Sequence, residues 1–457
     1  MTSKYPDGFL WGTATSSYQI EGAFDKGGRS ESIWDRFSKT PGKVLNGDTG
    51  DVAADHFHRF KDDVALMREL GIEGYRFSLA WPRLLPNGSG KIEPRGFDFY
   101  NRLIDELLAN GIEPLITAYH WDLPQVLQDK GGWANREIVE EFENYSTHIA
   151  TAFGDRVKDW ITINEPWCVS WLGYMSGVHA PGVRNRRDAL AAAHHTAMAH
   201  AASARVIKQL VPDAKVGITL NMTNVRVLGD PSEDTSKVER LLDAHLNRWW
   251  IDAFSKGEYP SELIQYYGDL AEGVILSGDA KLLLAKPDFM GINYYNDSFI
   301  SNAKPGDKEL SEGGPFPFDI AVNQELPPNT SVTDFGWPIT PPGLKDLLVR
   351  VHKDWPEIPS LCITENGAAF NDGPDTSGEV NDERRVQYLQ SHLASIEEAI
   401  SAGVPLTGYF AWSLLDNFEW AEGYDKRFGL IHVDFQTQKR TLKKSAYVFR
   451  DHILLNS

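Results

Sequence analysis

Cysteine is nearly absent: 2 in 457 residues, Cys168 and Cys362. A disulfide framework is thereby excluded for a chain of this length, and both thiols are expected to be buried and reduced. No run of about 18 apolar residues occurs, so no transmembrane helix is expected. The opening stretch Met1-Thr2-Ser3-Lys4-Tyr5-Pro6-Asp7-Gly8 has no apolar signal core. Together these set the expectation of a soluble, cytoplasmic protein without a membrane partner. Positive charge is also short: 45 Lys and Arg face 64 Asp and Glu, a net charge of −19. That balance argues against nucleic acid and anionic lipid as partners, because both are polyanions. No G-x-G-x-x-G follows any apolar run, which removes the main support for a dinucleotide-binding sheet. No internal repeat or low-complexity tract stands out.

What the chain does have is apolar mass. Apolar residues make up 42% and charged residues 24%, enough for a large core. Aromatics reach 11%, including 14 Trp. Trp fills a core poorly unless its N–H finds a partner, so the surplus points to a ligand-stacking surface. Short β-type runs alternate with helical patterns. The strand candidates are Phe9–Thr15, Gly74–Ser78, Pro114–His120, Trp160–Glu165, Val216–Asn221, Phe289–Tyr295, Leu361–Glu365 and Gly408–Trp412. Between them, Phe57, Phe60, Val64 and Met67 step along one face of a helix over Asp55–Leu70, which Gly71 stops. Phe97–Ala109, Val238–Phe254 and the Ala-rich Arg187–Leu210 read the same way. Asp382–Ala402 opens on an Asp cap and ends before Gly403. The strands are continuous apolar runs, as parallel strands covered by helices should be. The fold class expected is therefore α/β, a single (β/α)8 TIM barrel over 1–457 with extended loops at the C-terminal face. The long connections 222–287 and 296–358 are read as insertions at the barrel mouth.

Barrel active sites lie at the C-terminal ends of the strands. Polar residues collect there: Arg76, His120-Trp121, Asn164-Glu165-Pro166, Asn293-Tyr294-Tyr295, Glu365-Asn366-Gly367, Trp412, and Glu419-Trp420 in the loop beyond. Singly, each could be a capping or loop residue. Two glutamates directly after apolar runs are harder to dismiss, because a carboxylate there is costly to desolvate unless paired or used. Two carboxyl groups facing one pocket can cleave a glycosidic bond, one protonated to release the leaving oxygen and one ionised to attack. Arg76 is a permanent cation able to keep a neighbouring carboxylate ionised.

Three segments carry a resemblance. They are Phe9-Leu10-Trp11-Gly12-Thr13-Ala14-Thr15-Ser16-Ser17-Tyr18-Gln19-Ile20-Glu21-Gly22, Thr162-Ile163-Asn164-Glu165-Pro166 and Ile363-Thr364-Glu365-Asn366-Gly367. Over essentially its whole length the chain resembles glycoside hydrolase family 1, the β-glucosidase family. The resemblance implies a retaining hydrolase without cofactor or metal, acting on small-molecule β-glycosides by double displacement. It implies Glu165 as general acid/base and Glu365 as nucleophile. It places Gln19, His120, Asn164, Glu419 and Trp420 on the sugar hydroxyls, with Trp412 as stacking floor and Trp121 beside them. Arg76, Asn293 and Tyr295 are implied to support the nucleophile, and Tyr295 to border the sugar. Trp167, Leu172 and Trp337 are expected on the aglycone side, with Cys168 close to that channel.

A branch of the family that cleaves 6-phosphorylated sugars typically has Ser where Glu419 stands. Read as an anion, Glu419 would repel a phosphate, so a neutral glycoside is expected. Glucosides are the default, with galactosides and fucosides as side activities. Transglycosylation is the nearest alternative, since an alcohol can intercept a glycosyl-enzyme. A non-catalytic sugar-binding barrel is the alternative from another class, but it needs neither glutamate. A metal-dependent hydrolase would need the histidines. However, His56 and His58 lie two apart inside a helix and face different ways, and His194, His195 and His200 lie on the Ala-rich helix. The sequence leaves the oligomeric state open.

Overall fold

A computed structural model describes residues 4–456. The first three residues of the stretch inspected for a signal core, and the last residue of the chain, lie outside it. Eight parallel strands close a barrel: β1 (Leu10–Ala14), β2 (Gly74–Ser78), β3 (Glu113–Tyr119), β4 (Asp159–Asn164), β5 (Lys215–Asn221), β6 (Phe289–Asn293), β7 (Leu361–Asn366) and β8 (Leu406–Trp412). Each pairs with its neighbours in sequence, and β1 closes on β8 with Leu10 opposite Gly408 and Ala14 opposite Trp412. The expected strands are thus present, Gly74–Ser78 with both ends as expected and the others with ends shifted by at most two residues.

Both faces of these strands are covered, which is why they read as unbroken apolar runs: all five residues of β2 are buried. Alternation along a strand decides what reaches the barrel axis. On β6 the inward positions are Phe289, Gly291 and Asn293. Phe289 joins Leu115, Ile161, Cys362 and Phe410 in an apolar plug that continues to Trp412 and Phe428 at the mouth. Burying each such large side chain contributes about 1.5–3 kcal/mol. Gly291 has no room for a side chain, because a Cβ would overlap Thr219 and Thr364. Asn293, at the top, is polar. One five-residue strand therefore passes from core to chemistry.

The helices pack around this barrel. Helix His56–Glu69 follows the expected face, with Phe60, Val64 and Met67 buried. Helix Arg186–Leu210 is buried throughout Ala189–Ala204, because its alanines allow close approach of helix Ile138–Phe153 on one side and later elements on the other. The Val238–Phe254 pattern is not one regular helix. It resolves into Glu233–Asp243, a π-turn Ala244–Arg248, and Trp249–Lys256. Asp382 occupies the N-cap position of helix Glu383–Ser401 but makes no capping bond. Its carboxylate instead takes Arg385 at 2.7 Å and the backbone N–H and hydroxyl of Ser445 at 2.8 and 2.6 Å, tying down the last helix. The histidines considered as ligands have protein partners: His56 meets Asp63, His58 Asp55, His194 Asp279 and Tyr259, His195 the Trp133 carbonyl, and His200 Thr162. Both cysteines are buried and free. Among the described residues no helix is long and apolar enough to cross a membrane.

Candidate active site

The strand tops surround a cavity of about 490 Å³, within the usual range for small-molecule sites. Glu165 and Glu365 both line it, and both are buried. Their partners differ. Glu365 ends the apolar run of β7 and accepts from Arg76 Nη1 at 2.6 Å on Oε1 and from the Tyr295 hydroxyl at 2.7 Å on Oε2. Glu165 stands just past β4 and accepts on Oε1 from Asn293 Nδ2 at 2.7 Å. Asn293, expected beside the nucleophile, thus makes its short carboxylate bond to Glu165; it also helps hold Glu365 down.

Arg76 is fully buried and spends its fork on four acceptors. Besides Glu365 it meets Thr117 Oγ1 at 3.1 Å, the Thr364 carbonyl at 3.0 Å and Asn164 Oδ1 at 2.6 Å. A second tier fixes the first. Thr364 Oγ1 donates to Asn293 Oδ1 at 2.8 Å, and Asn293 also donates to Asn164 Oδ1 at 3.1 Å. Rotamers locked this way hold the two carboxyl groups in place.

Electrostatics separates them. Burial, and then the charge of Glu365, pushes the Glu165 carboxyl well above its ordinary value, outweighing Asn293, the Cys168 thiol and Arg76. Burial raises Glu365 too, but Arg76 and then Tyr295 oppose it, so Glu365 is the more readily ionised of the two. Burial first, then Glu365 and Glu165, raise the Glu419 carboxyl well above the usual carboxylate range. Among the described residues no Lys or Arg lines the cavity, so the wall offers no cation to pair with a phosphate.

Backbone conformation aims several of these groups. Trp121, Glu165 and Trp420 have φ of 77°, 48° and 50°, in the left-handed region that costs a bulky residue energy. At Glu165 the backbone N–H still bonds the Thr219 carbonyl at 2.9 Å while the chain turns into the π-helix Cys168–Ser176. That turn swings the carboxyl into the cavity and puts Trp167 and Cys168 on its wall. Gly367 lies against Trp412, where a Cβ would overlap the Trp412 carbonyl oxygen. The Trp412–Ser413 peptide is cis.

His120, Trp121, Trp412, Glu419 and Trp420 line the same cavity. The His120 ring lies nearly parallel to Trp412 and Trp420, with centroids 5.9 and 5.8 Å away. Burial and Arg76 hold His120 neutral, and its Nδ1 has no partner within the protein. Gln19 and Asn164 are buried beside these wall residues. Gln19 Nε2 donates to Glu419 Oε2 at 3.3 Å and to Asn417 at 3.1 Å; Asn164 Nδ2 meets His120 Nε2 at 3.1 Å. Trp167, Leu172 and Trp337 line the cavity as well, Trp337 stacked on Phe335 at 4.3 Å. Sequence reasoning missed Phe316, Phe335, Phe428, Asn221 and Glu422, all on the wall. Only Phe316 left a trace, in the Pro- and Gly-rich stretch Gly313-Gly314-Pro315-Phe316-Pro317.

Two buried carboxyls in one cavity rimmed by indoles, one paired with an arginine and the other raised by its neighbour's charge, can perform double displacement at an acetal carbon. Comparisons with known proteins agree. The model of glycosyl hydrolase family 1 matches residues 1–457. The chain is 44% identical to β-glucosidase A of Thermotoga maritima over 454 residues, 99% of this chain and 98% of that protein. It is 44% identical to β-glucosidase A of Acetivibrio thermocellus over 455 residues, again 99% and 98%. It superposes on a β-glucosidase from Thermotoga maritima in complex with glucoimidazole with a TM-score of 0.92 at 43% identity, covering 99% of each chain.

Proposed function

The chain belongs to glycosyl hydrolase family 1, and from that premise we propose that it is a retaining β-glucosidase. Its substrates are terminal non-reducing β-D-glucosyl residues of cello-oligosaccharides and of aryl or alkyl glucosides. The observation that carries this reading is the unequal setting of Glu165 and Glu365 in one cavity, with Arg76 and Tyr295 bonded to Glu365 and the charge of Glu365 adding to burial at Glu165.

The mechanism has two steps. Glu365 attacks the anomeric carbon, and Glu165 gives its proton to the departing glycosidic oxygen. The C–O bond breaks as an ester to Glu365 forms, which cancels the charge that had raised Glu165. Glu165, now ionised, takes a proton from water, the water oxygen attacks the anomeric carbon, and Glu365 leaves as carboxylate. Two inversions give retention. Tyr295 and Arg76 stabilise the carboxylate that departs. The second N–H of Asn164 Nδ2 is the donor for the 2-hydroxyl, while Trp412 meets the apolar face of the ring and Gln19, His120, Glu419 and Trp420 meet its other hydroxyls.

The whole chain forms one catalytic domain in this reading, and the two buried free thiols fit a reducing, cytoplasmic compartment. β-Galactosides and β-fucosides are side activities. A panel of nitrophenyl glycosides, run with and without cellobiose, tests the proposal. Release from the β-glucoside, competed by cellobiose, is expected; no release from any β-glycoside would remove it.

A further inference from the structure

The cavity is larger than one sugar ring needs, and its outer part is mostly apolar. Phe316 forms part of that wall although it comes from the long connection after β6. Its ring is half-buried and lies 5.8 Å from Trp167, tilted by 42°. The Trp167 Nε1 group is buried with no partner in the protein. Phe316 rides on a small hairpin in which Leu310 N–H bonds the Ile320 carbonyl at 3.2 Å and Ser311 N–H bonds the Phe318 carbonyl at 3.0 Å.

Asp319 joins that hairpin to the barrel. Its carboxylate takes both Nη atoms of Arg186 at 2.6 and 3.0 Å, and Arg186 is the first residue of helix Arg186–Leu210. It also takes the Ser311 hydroxyl at 2.7 Å, and its backbone N–H donates to the Tyr266 hydroxyl at 2.8 Å. Arg186 and Ser311 hold this carboxylate below its ordinary range. Neither Arg186 nor Asp319 lines the cavity. The pair is half-exposed, with side chains 31% and 51% accessible, so it adds little to global stability. Its effect is on where Phe316 stands.

We propose that the Arg186–Asp319 pair is a positioning brace for aglycone specificity, holding Phe316 against Trp167 as an apolar wall that selects flat aromatic aglycones. This rests on the hydrolase reading above. The brace acts through Phe316 and leaves the glucosyl-binding residues untouched. Phe318, fully buried against His245 and Tyr266, keeps the hairpin attached when the pair is lost. The wall then loosens without unfolding.

The test compares 2-naphthyl β-glucoside, which must meet the wall, with β-glucosyl fluoride, whose single-atom leaving group does not. In Arg186→Met and Asp319→Asn, kcat/KM for the naphthyl substrate should fall about three- to tenfold, the worth of one aromatic contact. The loss should appear in KM, with the fluoride unchanged. Phe316→Ala should lose the same naphthyl preference. The charge swap Arg186→Asp with Asp319→Arg should restore it, and high salt should mimic the single variants in the wild type. Unchanged naphthyl kinetics in both single variants would overturn the brace, as would an equal fall on both substrates. Failure of the wild type to cleave the fluoride would instead strike the hydrolase reading.

Discussion

Replacing Arg76 by Met removes the cation from the site while keeping much of the side-chain volume. If Glu365 stayed ionised, an unpaired buried carboxylate would cost about 3–5 kcal/mol. It has an escape, because burial already raises its pKa and Arg76 is the foremost influence opposing that rise. An arginine neighbour commonly lowers a carboxyl pKa by about 1–3, or about 1.4–4 kcal/mol at 1.36 kcal/mol each. Without Arg76, Glu365 therefore takes up a proton at higher pH. The nucleophile works only when ionised, so activity is lost as pH falls through its pKa. A higher pKa moves that acid limb towards neutral pH. The expected result is an acid limb of kcat/KM displaced upward by about 1–3 pH units, with the largest loss on the acid side. Arg76→Lys keeps the charge but lacks the fork that reaches Thr117, Thr364 and Asn164, so its limb should move less. The assay is kcat/KM for an aryl β-glucoside against pH, with thermal unfolding at each pH to confirm folding. Coincident acid limbs for wild type and a folded Arg76→Met would refute the reasoning.

Glu165→Ala should slow substrates with poor leaving groups far more than activated aryl glucosides, by about 10²–10⁴-fold, the usual size of general acid catalysis; equal slowing of both would deny it the acid role. Glu419 has a folded pKa raised above the unfolded value, so the native state binds more protons than the unfolded chain between the two. Stability then falls as pH rises through that window. Glu419→Gln should remove this dependence, so its midpoint temperature should exceed that of the wild type by a margin that grows with pH, while KM for glucosides rises. Equal or lower midpoints across the window would contradict that. Gly367→Ala forces a Cβ onto the Trp412 carbonyl and should destabilise by about 1–3 kcal/mol, an overpacking cost read by denaturant unfolding. A neutral result would mean that Trp412 can move aside.

Continuous apolar runs made all eight strands legible, because a strand covered on both faces leaves few alternatives. The glutamates were legible for the opposite reason: a carboxyl at the end of such a run is a conflict that only use or pairing resolves. What escaped depends on contacts between distant residues or on backbone bends. The left-handed turns at Trp121, Glu165 and Trp420 occur at residues that ordinarily avoid them, so no propensity signals them. The π-turn inside Val238–Phe254 keeps helical spacing on either side and hides in the pattern. Asp382 has the chemistry of a cap, but the last helix claims its carboxylate. Glu419 looks like an ordinary carboxylate in isolation, and the burial that mainly raises its pKa, with Glu365 and Glu165 adding to it, exists only in the fold. Phe316 reaches Trp167 from far along the chain, so its place on the wall needs the fold.

The central claim is that Glu365 becomes covalently bonded to the sugar. A 2-deoxy-2-fluoro-β-glucosyl substrate with an activated leaving group slows both steps but the second more, so the ester should accumulate. Mass spectrometry of the intact protein should then gain one fluoroglucosyl group per chain, and peptide mapping should put it on Glu365. No adduct under conditions where the leaving group is released, or an adduct on another residue, would contradict the account.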